Sequence, residues 1–228
     1  MLRLHHFTPA LTVGSSSPFE VPEALVERVR EHWQAALAER PGLFDGPILT
    51  VTALGRDHIE VAPTSYRFLL AAKDDPELKA ALNLRPLAVS GLLRCPKGYV
   101  FGHRALTLTE APGVWELVPS GGVEPSGALV DVKAQVLKEL REEIGLETSE
   151  VQTAGPVGCI EDLASGVIDI VIPMSTPRTA AEIRRAHETK ATREYSELHF
   201  GEAAPGGSDG LLAVSREILA HFAGAQET

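Results

Sequence analysis

Leu137-Lys-Glu-Leu-Arg-Glu-Glu-Ile-Gly-Leu146 is the stretch whose reading decides the fold. It closes a run of strong helix formers that begins near Ala128, and Gly145 stands where a C′ glycine ends a helix. Side chains three and four apart on a helix share a face, so Glu139 stands beside both Glu142 and Glu143. Three carboxylates so placed repel one another. Water tolerates this on an open surface, whereas a hard divalent cation relieves it by binding through oxygen. Upstream, Trp115-Glu-Leu-Val-Pro-Ser-Gly-Gly122 reads as a short strand ending in two glycines, which bring backbone carbonyls close to the helix. A strand, a glycine turn and an acidic helix make a plausible Mg²⁺ site with room for substrate phosphates.

These residues carry a family resemblance. Gly121-Gly-Val-Glu-Pro125, followed by Lys138-Glu-Leu-Arg-Glu-Glu-Ile-Gly-Leu146, resembles the Nudix box, the signature of the Nudix hydrolases. The resemblance implies an α/β fold, a Nudix-type α/β/α sandwich around a mixed β-sheet. It implies Mg²⁺ or Mn²⁺ as cofactor, with Glu139, Glu142 and Glu143 as ligands. A backbone carbonyl joins them, that of Ser120 or of Gly121 depending on which glycine sets the register. The implied reaction is metal-assisted attack of water on a phosphorus, cleaving the pyrophosphate bond of a nucleoside diphosphate linked to another moiety. Glu142, Glu139 or a carboxylate from a later loop takes the proton. The chain departs from the family in having Lys138 in place of Arg and Gly127 or Ala128 in place of a glutamate, and its box is longer. In the family those two residues brace the helix. Asp131, seven residues before Lys138, stands to replace them or to sit at the helix N-terminus, where the dipole favours an acid.

A shorter resemblance ranks substrates. Pro41-Gly-Leu-Phe-Asp-Gly-Pro47 and Thr64-Ser-Tyr-Arg-Phe-Leu69 are similar to the N-terminal extension of Nudix proteins that hydrolyse UDP-glucose, which also carry a lengthened box. A nucleoside diphosphate sugar is therefore the first expectation. The alternative is a Nudix-fold binding or regulatory module with weak or no turnover.

Other residues are placed by their surroundings. Asp169 interrupts the apolar run 167–171, and a buried carboxylate needs a partner or a metal, so it is a candidate accessory carboxylate. Glu161, Asp162, Glu194 and Glu197 are further candidates, the last two in a charged stretch. Arg104 precedes the box and has the fork that suits phosphate oxygens. His103, His187 and His199 lack metal-ligand spacing, and Trp115 reads as core.

The rest of the 228 residues sets limits. A net charge of −10 argues against nucleic acid as a partner, because phosphate-backbone affinity comes from clustered Lys and Arg. A phosphorylated small molecule is still accessible through a bound cation. Two cysteines, Cys95 and Cys159, cannot build a disulfide framework or a four-cysteine zinc site, and read as buried thiols. The N-terminus lacks the apolar core of a signal peptide and no apolar run spans a bilayer, which suggests a cytoplasmic protein without a membrane partner. Residues 1–85 form an accessory α/β extension and 86–228 the Nudix domain. In the extension, residues 1–13 alternate weakly, 22–40 form an amphipathic helix, 48–54 and 58–62 a hairpin, and 64–84 an interrupted helix. The apolar face of the first helix suits either the core or a second copy of the chain in a homodimer. In the domain, strands are expected at 87–93, 98–105, 115–118, 151–159, 166–174 and 195–200. Helices are expected at 128–144, 178–191 and 211–223.

Overall fold

The computed structural model describes residues 1–73, 75–108, 110–190 and 194–224. The chain begins with β1 (Leu2–His6), β2 (Thr12–Ser15), α1 (Glu23–Glu39), β3 (Pro47–Leu54), β4 (His58–Ser65), α2 (Tyr66–Lys73) and α3 (Pro76–Leu82). It continues with β5 (Leu87–Cys95), β6 (Gly98–Arg104), β7 (Trp115–Leu117), β8 (Ser120–Gly122) and α4 (Val132–Glu139). The last part is β9 (Gln152–Thr153), β10 (Gly158–Asp162), β11 (Ile168–Ser175), α5 (Ala180–Glu188), β12 (Tyr195–Gly201) and α6 (Ala213–Phe222).

The main sheet runs β1-β10-β11-β5-β6-β12, with β7 on β6, β8 on β5 and β9 on β11. Only the central β5–β11 pair among these is parallel. These two strands are near-continuous apolar runs, as expected where both faces are covered. On one face, Leu87, Val89, Ile168 and Ile170 pack against Val132, Val136, Leu140 and Ile144 of the box helix and Ile183 of α5. On the other, Leu92, Phe101, Leu117 and Val171 pack against Ile218 and Phe222 of α6. The architecture is a mixed α/β/α sandwich.

The N-terminal layer is fused to this sandwich. Its small sheet, β2-β4-β3, contributes Val13, Leu49, Val51, Ile59 and Val61 to the same core as the box helix. The weakly alternating first residues are an edge strand of the main sheet, since β1 pairs antiparallel with β10. The apolar face of α1 packs within the chain, where Val29 meets Ala71, Leu78 and Leu82 of α2 and α3. Asp75 caps α3 by accepting from the Leu78 amide and also binds Arg28 of α1 at 2.7 Å. The interrupted helix expected over 64–84 breaks at Asp75 and Pro76, while Asp74 lies outside the described residues.

The box helix starts later than its residue types suggest. Residues 128–130 are extended along β2: the Ser15 amide donates to the Ala128 carbonyl, and the Val130 amide to Val13. Residues 128–130 thus dock the N-terminal layer. Asp131 then caps α4, accepting from the Lys133 and Ala134 amides at 3.0 Å. The strand expected over 151–159 is also two pieces, β9 and the start of β10, separated by a loop holding Pro156. Helix α5 begins after its Thr179 cap, and residue 191 of the expected helix lies outside the described residues. No described helix is long and apolar enough to cross a membrane.

Candidate active site

The acidic helix changes pitch where its carboxylates lie. After Glu139, residues Leu140–Ile144 form one turn of π-helix, and Gly145 closes it by donating to the Leu140 carbonyl at 3.1 Å. Such turns re-space side chains and often occur at functional sites. The three glutamates meet different environments. Glu142 is exposed, Glu139 half-buried, and Glu143 is only 5% exposed.

Glu143 is the most constrained. Its Oε2 accepts from the Ser120 amide at 3.1 Å and lies 3.3 Å from the Tyr195 hydroxyl. Its Oε1 is buried and has no hydrogen-bond partner among the described residues. Burial pushes the carboxyl well above the usual range, and the negative charges of Glu194, Glu139 and Glu116 add to this against the Ser120 amide. Glu139 is raised as well, chiefly by burial, with its Oε1 accepting from Gln135 Nε2 at 2.6 Å. Its carboxyl rests on Gly121, where a Cβ would lie 2.5 Å from Cδ and 2.8 Å from both oxygens. Only a glycine on β8 leaves room for this carboxylate against the backbone.

A buried lattice of charge stands behind these residues. Glu116, on β7 and 2% exposed, accepts from Arg104 Nη1 and from the Tyr195 hydroxyl, the latter at 3.0 Å. Arg104 also binds Glu194 at 3.1 Å and the Glu110 carbonyl. Burial raises Glu116 despite the arginine. Sequence reasoning missed Glu116 as a site residue. The available signal was a charged residue directly before Leu117-Val118 in an apolar strand.

The structure thus brings Glu139, Glu143, Ser120, Gly121, Arg104 and Glu194 together. Arg104 was expected to reach substrate phosphate, but its guanidinium is engaged by the protein's own carboxylates. Lys138 binds Glu124 at 2.8 Å, while Asp131 is the helix cap, so the two do not brace one another. Glu161 lies elsewhere on β10, held by Arg85 and His5. Asp162 binds the Ala164 amide and Ser165 hydroxyl in a turn, and Glu197 is exposed.

Asp169 is buried on β11, with Oδ1 unpartnered among the described residues. Burial pushes it up to about 7, against the Ser90 hydroxyl. Strand alternation puts it on the α6 side of the sheet with Val171, opposite the face that carries Ile168 and Ile170 under the box helix. Both cysteines are buried free thiols, and burial lifts Cys159 to about 12. His103 contacts Ser196 and the Gly113 carbonyl, and its ring lies 4.9 Å from that of Trp115.

The donor set fits a hard cation. Among the described residues no three His, Cys, Asp or Glu side chains form a ready metal cage. Mg²⁺ does not need one, since it commonly takes one or two carboxylates and completes its shell with water and phosphate oxygens. The unpartnered Glu143 Oε1 and the carboxyl cradled on Gly121 supply hard oxygen donors, and the mutual repulsion around them favours a cation.

No protein-family model and no curated protein matches the chain. Among solved structures it is similar to the MutT protein of Methanosarcina mazei Go1, at 22% identity over 63% of this chain and 96% of that one, TM-score 0.44. It is also similar to DR0079 of Deinococcus radiodurans, at 16% identity over 68% and 83% of the two chains, TM-score 0.45. A third is the Nudix hydrolase RenU of M. smegmatis, at 17% identity over 60% and 82%, TM-score 0.43.

Proposed function

We propose that the chain is a Nudix-type pyrophosphohydrolase that uses Mg²⁺ or Mn²⁺ to cleave a nucleoside diphosphate linked to another moiety, with a nucleoside diphosphate sugar as the substrate class. The observation that carries this reading is Glu143, buried with Oε1 unpartnered, beside a Glu139 carboxyl cradled on Gly121. An orphaned buried carboxylate oxygen is costly unless something binds it. The match of Glu139 to Leu146 with the Nudix box supports the same assignment.

Glu143 and Glu139, with Glu142 as a further carboxylate, would hold the cation, which would neutralise the pyrophosphate and acidify a bound water. The protein's own groups do the rest. The Ser120 amide fixes Glu143, Gln135 fixes Glu139, and Arg104 holds Glu194 and Glu116 in place. Glu139 or Glu142 is the group to accept the proton of the attacking water. The sugar preference rests on the resemblance of segments 41–47 and 64–69; the N-terminal layer that holds them meets the lengthened box through β2, by the Ser15–Ala128 and Val130–Val13 hydrogen bonds.

The test is turnover with Mg²⁺ on a panel of nucleoside diphosphate sugars, ADP-ribose, NADH and dinucleoside polyphosphates. Release of nucleoside monophosphate and sugar phosphate, fastest from the sugars, is expected. Cleavage of none of these compounds sinks the enzyme reading, and cleavage of another class alone sinks the sugar assignment.

A further inference from the structure

We infer that Tyr195 is a positioning residue for Glu143: its hydroxyl and the Ser120 amide occupy Oε2, which leaves Oε1 as the oxygen presented to the cation. This inference rests on the metal site proposed above and goes beyond it, because no part of the box sequence specifies a tyrosine.

Three features aim Tyr195 at this place. Along β12, Leu198 and Phe200 face the box-helix core, so strict alternation would turn Ser196 inward. The register instead shifts between Tyr195, opposite Arg104, and Glu197, opposite His103. This bulge exchanges the two residues, and Tyr195 becomes the inward one, fully buried. The second feature is the slot. A Cβ on Gly102 would lie 2.4 Å from Cδ1 of the tyrosine ring, so the ring fits only across from a glycine. The third is the hydroxyl, between Glu116 Oε1 at 3.0 Å and Glu143 Oε2 at 3.3 Å. It has one proton for two carboxylates. Because Arg104 also serves Glu116, the phenol's proton is free to go to Glu143 Oε2, and in that orientation the hydroxyl holds the carboxylate.

A phenylalanine at 195 keeps the ring and removes the hydroxyl from Glu143 and from Glu116, which retains Arg104. Groups that orient metal ligands from behind typically change metal affinity or activity by roughly 10–100-fold when removed. The experiment is calorimetric titration of Mn²⁺ into the wild type, Tyr195→Phe and Glu143→Gln, with the melting temperature of each. The expected result is tight binding by the wild type, strong loss in Glu143→Gln, and an affinity about 10-fold or more lower in folded Tyr195→Phe. An affinity within about twofold of wild type in Tyr195→Phe overturns the inference while leaving the metal site intact. A wild type that binds no Mn²⁺ overturns the metal site itself, and this inference with it.

Should Tyr195→Phe fail to fold, fluorotyrosine labelling decides. The chain has three tyrosines, so the Tyr195 fluorine resonance is identified by Tyr66→Phe and Tyr99→Phe. It is expected to move on Mg²⁺ titration, and an unmoved resonance at saturating Mg²⁺ overturns the inference.

Discussion

Replacing Asp169 by Asn removes an acid from a place where its charged form is poorly solvated. The residue is 8% exposed on β11, between β10 and β5, and its Oδ1 has no partner among the described residues. Burial pushes it from 3.8 to about 7. The unfolded chain therefore releases this proton near pH 4, whereas the folded chain keeps it until about neutrality. Between those pH values the folded state holds more protons, so stability falls as pH rises through the window and levels off above it. A gap of about three pH units at 1.36 kcal/mol each corresponds to at most about 4 kcal/mol. The asparagine cannot ionise and has no such dependence. Urea unfolding of both proteins from pH 4 to 8 isolates the effect, because the other acids cancel in the difference. Asp169→Asn is expected to gain on the wild type steadily with pH and to be the more stable protein at pH 8. A difference that stays flat across the window would refute the reasoning.

Gly121→Ala places a methyl group against the Glu139 carboxyl, the mobile end of a side chain. It is expected to leave the melting temperature within a few degrees of wild type while weakening Mn²⁺ binding and turnover at least 10-fold, as checked by calorimetry and phosphate release. Arg104→Met strands Glu116 and Glu194 without their counter-charge and should cost about 3–5 kcal/mol in urea unfolding at neutral pH. That loss should shrink in acid, because a protonated Glu116 needs no counter-charge. Asp131→Ala removes the cap of α4 and should cost about 1 kcal/mol, whereas Lys138→Ala, which breaks an exposed pair, should cost less than that.

Much of this site was legible because its signals are local. Helical spacing grouped Glu139 with Glu142 and Glu143, of which Glu143 is buried within reach of the Glu139 charge while Glu142 is exposed, and the paired glycines marked a close approach that proved to be Gly121 against Glu139. What stayed hidden depends on partners distant in sequence. The late start of α4 follows from residues 128–130 pairing with β2, more than a hundred residues earlier. The role of β1 follows from an open sheet edge at β10, which weak alternation in thirteen residues does not reveal. Glu116, Arg104 and Tyr195 become one network only through the pairing of β6 with β7 and β12, and a bulge decides that Tyr195 rather than Ser196 faces inward. The helix likewise differs from its sequence reading: spacing set Glu142 and Glu143 alike beside Glu139, whereas the structure leaves Glu142 exposed and Glu143 buried, both on a π-turn.

In the proposed reaction Glu143 holds the cation that drives pyrophosphate cleavage. That role is tested most directly by comparing wild type and Glu143→Gln for Mg²⁺-dependent hydrolysis of a nucleoside diphosphate sugar, with Mn²⁺ affinity measured on the same preparations. The wild type is expected to cleave the substrate, and the folded variant to lose both rate and metal affinity by about 100-fold or more. Equal rates and equal affinities in the two proteins would contradict that role.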